Sequence, residues 1–170
     1  MRVIQWATGS VGRAAIEGIL AHPDLELVGC WVHSPDKHGR DVGEILGIDR
    51  LGITATSKID DIMALDADAV VYAPLMPNRD EVATLLRSGK NVVTPVGWFY
   101  PTERDGAPLA RACAEAGVTL HGTGLNPGGI TELHPLMFSA LSSAVTFVRG
   151  EELSDIRTYN APDVVRHVMM

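Results

Sequence analysis

The first sixteen residues, MRVIQWATGSVGRAAI, constrain the fold more than any other segment of the chain. They have the pattern of a short buried strand, a glycine-bearing turn and the beginning of an amphipathic helix. In the dinucleotide-binding fingerprint, the first position makes a tight turn, the second lets backbone approach the phosphates, and the third lets helix pack on strand. Ala7, Gly9 and Gly12 occupy these positions, so alanine replaces the first glycine. The segment therefore predicts a pyrophosphate site at the start of a helix.

Short apolar runs alternate with helical patterns along the rest of the chain. Strands are predicted at residues 2–6, 25–32, 52–56, 68–73, 91–94 and 117–121. Helices are predicted at residues 12–21, 58–65, 79–88, 103–116 and 129–141. The repeated strand–helix–strand order with right-handed crossovers favours a doubly wound parallel sheet, an α/β fold of the Rossmann type.

A domain boundary is predicted between residues 127 and 128. Residues 1–127 are expected to form a dinucleotide-binding domain, and residues 128–170 a connecting helix and the beginning of a second α/β domain. Five apolar residues near the end have helical spacing without a glycine or proline stop signal: Val164, Val165, Val168, Met169 and Met170. We therefore expect that the chain is truncated and that its partner domain is missing.

The composition argues against several classes of protein. A net charge of −7 with only 14 scattered basic residues disfavours nucleic-acid or anionic-membrane partners. No run approaches the roughly 18 consecutive apolar residues of a membrane span. Cys30 and Cys113 are too far apart in sequence for a CxxC-type pair, so we expect buried, reduced thiols. A cytoplasmic protein with a small-molecule substrate is the expectation.

The phosphate-binding residues are expected in the glycine turn and the first helical turn. They are Gly9, Ser10, Val11, Gly12 and Arg13. Backbone N–H groups at a helix N-terminus point towards an anion. Arg13 places a cation where it opposes the helix dipole, which indicates a nearby anion, although a solvated Arg13 is the alternative.

The end of the second predicted strand bears on the choice between NAD and NADP. Enzymes that use NAD usually carry Asp or Glu there, whereas this chain has His33 and Ser34. Ser34 can donate a hydrogen bond to a 2′-phosphate, and His33, Lys37 and Arg13 can supply positive charge. The pattern favours NADP (NADPH) over NAD. NAD remains the alternative, because Asp36 could bind the ribose diol. Residues 34–52 are expected to form a loop with one short helix, either functional or a surface insertion.

Segments after later strands are expected at the nicotinamide end of the crevice, where strand carboxyl ends meet. Ala73, Pro74, Gly97 and Asn126 are the candidates for its flanks. A simple turn is the alternative for the segment around Pro74. The aromatic run at residues 98–100 indicates either an apolar substrate pocket or a packing surface for the missing domain.

Metal binding is not predicted. His121, Glu132 and His134 lack HExxH or similar spacing. His121 as a proton donor and His121 as a structural residue both remain open. No catalytic residue is assigned from the sequence.

Three segments of the chain resemble one family: MRVIQWATGSVGRAAI, GKNVVTPVG and GTGLNPGG. They are similar to the dihydrodipicolinate-reductase-like group, in particular the branch of 2,4-diaminopentanoate and amine dehydrogenases. The resemblance implies a nucleotide-binding domain followed by an α/β substrate and dimerisation domain, and therefore a homo-oligomer when the chain is full length. Two departures stand out: the chain has no histidine-rich catalytic segment with a lysine, and Val96-Gly97 stand where the branch carries an acidic pair before Tyr-Pro.

The leading hypothesis is an NAD(P)-dependent oxidoreductase that transfers hydride to or from a small C=N or C=O substrate. This chain would be its cofactor-binding part, and would be inactive alone. The alternative is a non-catalytic regulatory module that binds a dinucleotide. A sheet protein that binds no nucleotide is the third hypothesis.

Overall fold

The computed structural model describes residues 1–159 and 162–166. Contacts divide the chain into two compact units, Met1–Thr123 and Gly124–Met170, and each is described by itself. The domain boundary at residues 127 and 128 stays a prediction.

The first unit is built on a parallel sheet of six strands. The strands are β1 (Arg2–Trp6), β2 (Glu26–Trp31), β3 (Ala55–Thr56), β4 (Ala69–Tyr72), β5 (Asn91–Thr94) and β6 (Leu120–Gly122). Their order across the sheet is β3-β2-β1-β4-β5-β6. This is the doubly wound order, whose direction reverses between β1 and β4. The predicted fold class is confirmed.

Five α-helices belong to the first unit and two to the described part of the second. Those of the first unit are α1 (Ser10–Ala21), α2 (Val42–Leu46), α3 (Ile59–Met63), α4 (Arg79–Arg87) and α5 (Glu103–Ala116). Those of the second are α6 (His134–Ser139) and α7 (Pro162–Val164). Short 3₁₀ helices occur at Pro35–Lys37 and Ile156–Thr158. Among the helices of the described ranges, none is long and apolar enough to cross a membrane.

The sheet separates two hydrophobic clusters. Val3 of β1 belongs to one cluster, together with Ile16 of α1 and Val42 of α2. The next residue, Ile4, belongs to the other cluster, with side chains from α3, α4 and α5. This alternation follows from the two-residue period of a strand, which sends successive side chains to opposite faces. Helices therefore cover both faces of the sheet.

Two predicted strands begin later than predicted because a glycine turn precedes each of them. Gly117 adopts φ 67° as the C-cap of α5, and β6 therefore begins at Leu120 rather than at residue 117. Gly52 adopts φ 73°, and the strand predicted at residues 52–56 is reduced to Ala55–Thr56. The strand at Asn91–Thr94 and the helix at Glu103–Ala116 have the predicted bounds.

The helix predicted at residues 129–141 is present, but its first part is π-helical rather than α-helical and it ends at Ser139. Leu125–Leu133 is a π-helical segment in which only Asn126, Pro127 and Gly128 have non-helical dihedrals, all of them before residue 129, and His134–Ser139 continues it as the α-helix α6. Pro127 lacks an N–H donor and Gly128 takes φ 127°, so the regular helical bonds begin only after these residues, where the N–H of His134 donates to Gly129 O, five residues earlier. Of the apolar chain end, Val164 lies in α7, whereas Val168, Met169 and Met170 lie outside the described residues.

Candidate dinucleotide-binding site

The glycine turn between β1 and α1 contains a strained alanine. Ala7 adopts φ 74°, in the left-handed region, and its N–H donates to Trp31 O across a distance of 2.9 Å. An L-residue in this region costs roughly 1–2 kcal/mol, a penalty that glycine largely avoids. The first fingerprint position therefore makes the expected tight turn, although alanine occupies it.

The two glycines of the turn have opposite surroundings. Gly12 is buried, and a Cβ on it would lie 2.1 Å from Ala7 O. Any side chain there forces α1 away from the turn. Gly9 is exposed, and a Cβ on it would meet nothing within 4 Å. Gly12 thus allows close packing of helix on turn, while Gly9 leaves open space beside the backbone.

The N-terminus of α1 is not capped by a side chain. Gly9 is the N-cap residue and has extended dihedrals, φ −72° and ψ −171°. The first-turn N–H groups of Ser10, Val11 and Gly12 precede the first intrahelical bond, which runs from Arg13 N to Gly9 O at 2.8 Å. The Arg13 guanidinium is exposed and lies 3.9 Å from the Glu17 carboxylate. These N–H groups have the direction and partial charge to bind an anion.

Lys37 connects the loop after β2 to the glycine turn. Its Nζ donates to Thr8 Oγ1 across 3.0 Å, between residues far apart in sequence. Ser34 is the N-cap residue of the 3₁₀ helix that carries Lys37, and Asp36 is exposed in the same turn. His33 is exposed, and its ring centroid lies 6.1 Å from that of Trp31. Of the candidates near β2, Lys37 thus contacts the glycine turn, through its hydrogen bond to Thr8. Thr8 was not identified from the sequence.

Aromatic residues end three neighbouring strands beside the site. The rings of Trp6 and Trp31 stack with centroids 4.4 Å apart, and Trp6 also lies 5.7 Å from the Tyr72 ring. The sequence analysis missed this group. The sequence feature that could have revealed the group is the aromatic residue at the end of each of β1, β2 and β4.

The segment after β4 is fixed by Tyr72. The Tyr72 hydroxyl donates to Glu81 Oε2 at 2.7 Å and accepts from Asn78 N at 3.0 Å. Burial, together with the bond to Glu81, raises the pKa of this phenol, so it stays protonated. Ala73 and Pro74 therefore lie between two anchored points at the carboxyl end of β4.

Gly97 lies in an open cleft of about 340 Å³ between the beginnings of α4 and α5. Gly122 allows this arrangement, because a Cβ on it would lie 2.9 Å from Gly97 O. Trp98 adopts φ 57°, a second strained non-glycine residue, and such strain clusters at functional sites. The lining includes Pro77, Arg79, Gly97, Trp98, Tyr100 and Asp105.

The remaining candidates lie away from the glycine turn in sequence. Asn126 belongs to the second unit, where its Nδ2 donates to the Glu152 carboxylate. The pKa of Glu152 is lowered first by the hydrogen bond from the Ser154 side chain and second by this bond from Asn126. His121 is exposed on β6. Within the described ranges, His, Cys, Asp and Glu form no group of three or more that could hold a metal ion.

Both cysteines are free thiols. Cys30 is buried as expected, and burial raises its pKa to about 12, so it stays protonated and unreactive. Cys113, in α5, is only partly buried, so the expectation of a buried thiol is not met there.

A family model described as dihydrodipicolinate reductase, N-terminus, matches residues 3–97. Among curated proteins, an amine dehydrogenase of Streptomyces virginiae is 37% identical over 98% of this chain and 49% of its own length. A 4-hydroxy-tetrahydrodipicolinate reductase of Synechocystis sp. is 35% identical over 37% of this chain and 23% of its own length. The chain thus spans half or less of the length of these relatives.

Solved structures share the fold. The amine dehydrogenase of Mycobacterium smegmatis superposes with a TM-score of 0.70 at 22% identity, over 82% of this chain and 44% of that one. A biliverdin reductase of Synechocystis sp., solved with biliverdin and NADP⁺, has a TM-score of 0.60 at 20% identity, over 82% and 42% of the two chains. At these identities the likeness concerns the Rossmann-type fold.

Proposed function

Because the chain belongs to the dihydrodipicolinate reductase family through its N-terminal domain, we propose that it is the cofactor-binding part of an NADP-dependent oxidoreductase. The glycine turn carries this proposal. Its tight approach of Gly12 to Ala7, its open Gly9 and the uncapped amides of α1 form a site suited to a pyrophosphate.

The preference for NADP rests on charge near the end of β2. His33 and Ser34 stand where an NAD enzyme usually carries a carboxylate. Lys37 lies at 3.0 Å from Thr8 and brings a cation to the edge of the glycine turn. A ribose 2′-phosphate bound there would form a charge-assisted hydrogen bond with Lys37 or Ser34.

The proposed reaction moves hydride between the nicotinamide and a small C=N or C=O substrate. When bound, the nicotinamide would supply or accept the hydride, and the protein binds and orients both reactants. Ala73, Pro74 and Gly97 are proposed to flank the nicotinamide, and the cleft beside Gly97 to receive the substrate, while the same role for Asn126 stays a prediction from the sequence. The two free thiols support a cytoplasmic location, and the complete protein is proposed to be a homo-oligomer.

One observation favours a second function, a regulatory module that binds the dinucleotide without turnover. The residues before Tyr100-Pro101 include Val96 and Gly97, which carry no group able to transfer a proton. In that case the cofactor would bind as proposed, but its oxidation state would not change with any amine or carbonyl compound supplied.

Calorimetric titration with NADPH and with NADH tests the proposal. We expect micromolar binding of NADPH, at least tenfold tighter than that of NADH. Lys37→Met should weaken NADPH binding about tenfold, the effect of one charge-assisted hydrogen bond, and leave NADH binding nearly unchanged. Arg111→Met removes a positive charge from the exposed face of α5 and is the matched control.

Each outcome has a distinct meaning. Binding of neither dinucleotide would reject the oxidoreductase proposal. Equal affinities for NADPH and NADH, or an equal loss in Lys37→Met and Arg111→Met, would reject the NADP preference while leaving the phosphate site intact.

A further inference from the structure

Gln5 is a buried polar residue beneath the glycine turn. It lies in β1 with none of its surface exposed, and its amide is next to Gly12, where a Cβ would come within 3.1 Å of Gln5 Nε2. Nε2 donates to two carbonyl oxygens, Trp6 O and Ala7 O, each at 3.0 Å. Its Oε1 has no hydrogen-bond partner in the part of the chain that the structure describes.

This arrangement is costly for a residue that only fills space. A buried acceptor without a partner destabilises the folded state, and an apolar side chain of similar size would avoid that cost. Turning the amide over does not help, because both of its neighbours are carbonyl oxygens, which accept hydrogen bonds and donate none. We therefore attribute the presence of glutamine here to the hydrogen bonds that its amide donates to Trp6 O and Ala7 O.

The two bonded carbonyls lie on either side of Ala7. Trp6 O belongs to the peptide group before Ala7 and Ala7 O to the one after it, so the amide holds both peptide planes that define the φ 74° conformation. Ala7 O is also the atom against which Gly12 packs. The position of the first turn of α1 thus depends on an alanine that would relax to negative φ if it were free to do so.

We propose that Gln5 is a positioning residue of the dinucleotide site: it holds Ala7 in the left-handed conformation and so aims the first N–H groups of α1 at the phosphates. This inference rests on the proposed function, because the ligand is the dinucleotide. Gln5 touches the turn and not the ligand.

A double-mutant cycle with Ala7→Gly tests the inference. Glycine adopts φ 74° without strain, so the turn of the Ala7→Gly variant should keep its shape without the bonds from Gln5. We expect Gln5→Leu to weaken NADPH binding at least tenfold when residue 7 is alanine. In the Ala7→Gly background the same substitution should weaken binding no more than threefold. Gln5→Met, which is unbranched, serves as a second variant if Gln5→Leu does not fold.

Lys90→Met is the matched control. Lys90 is also buried, and its Nζ donates to Met63 O at 3.1 Å and Ser88 Oγ at 3.3 Å, away from the glycine turn in sequence. Its loss should leave the NADPH affinity unchanged. That result would show that removing a buried polar group does not by itself weaken binding.

The outcomes separate this inference from the proposed function. Wild-type protein that does not bind NADPH would reject both. Two other results would overturn the role of Gln5 and leave the phosphate site standing. In the first, wild type binds NADPH and Gln5→Leu binds it equally well. In the second, Gln5→Leu loses the same NADPH affinity whether residue 7 is alanine or glycine.

Discussion

Ala7 shows how a single residue can carry strain that the surrounding turn must support. Its φ of 74° is one that glycine adopts freely and alanine does not. The hydrogen bond from its own N–H to Trp31 O and the two bonds from Gln5 hold it there. Strain of this kind persists where neighbouring contacts determine the backbone, and it is common at ligand sites.

We expect Ala7→Gly to stabilise the protein. Relief of left-handed strain exceeds the extra entropy of an unfolded glycine, so the free energy of unfolding should rise by about 0.5–1 kcal/mol. Ala14→Gly, at an exposed site within α1, should instead lower it by about 1 kcal/mol. Urea unfolding followed by circular dichroism measures both. A loss of stability in Ala7→Gly would show that Ala7 is not strained.

At the level of single residues, the sequence predicted part of this turn. The spacing of Ala7, Gly9 and Gly12 identified the positions, because each has a steric role that residue type reveals. The contact of Gln5 with the turn was not predictable, because a glutamine in an apolar strand has no pattern that tells which backbone groups it will meet.

At the scale of an element, Asp41 organises the loop between β2 and β3. Its buried carboxylate accepts N–H groups from Gly43 at 2.8 Å, Leu51 at 3.0 Å and Gly52 at 2.8 Å. The bond from Leu51 is the largest of the effects that lower the pKa of Asp41. The side chain therefore caps α2 and closes the loop after it.

The lowered pKa of Asp41 makes the stability that it contributes depend on pH. A carboxylate whose folded pKa lies below its unfolded value stabilises the protein above the unfolded pKa of about 3.9, and this stabilisation is lost as the pH falls through the folded pKa. Asp41→Asn should thus lower the urea midpoint at pH 7, with a difference from wild type that shrinks in acid. Asp36→Asn, at an exposed position, should change the midpoint little at either pH. A difference independent of pH would contradict this role.

The sequence predicted a loop with one short helix at residues 34–52, and the structure has α2 at Val42–Leu46. Asp41 was not identified, because two of its three partners are ten and eleven residues away. Glycine and proline mark where a loop turns, whereas a contact between its two ends depends on the conformation of the whole loop.

At the scale of the whole molecule, the alternation of strands and helices was the most reliable information in the sequence. Buried parallel strands are apolar on both faces and their connecting helices are amphipathic, so both element types and their order are encoded locally. The contact of Lys37 with Thr8 and the stack of Trp6 on Trp31 depend on how two strands pair, and local patterns do not contain that information.

The central claim is that the glycine turn binds the phosphates of a dinucleotide, and two alanine substitutions in the same helix test it most directly. A Cβ on Gly12 would lie 2.1 Å from Ala7 O, whereas a Cβ on Gly18 would meet nothing within 4 Å. Calorimetric titration with NADPH should show wild-type affinity for Gly18→Ala and a loss of at least a hundredfold for Gly12→Ala, with both variants folded by circular dichroism. Equal NADPH affinity in the two variants would contradict the claim.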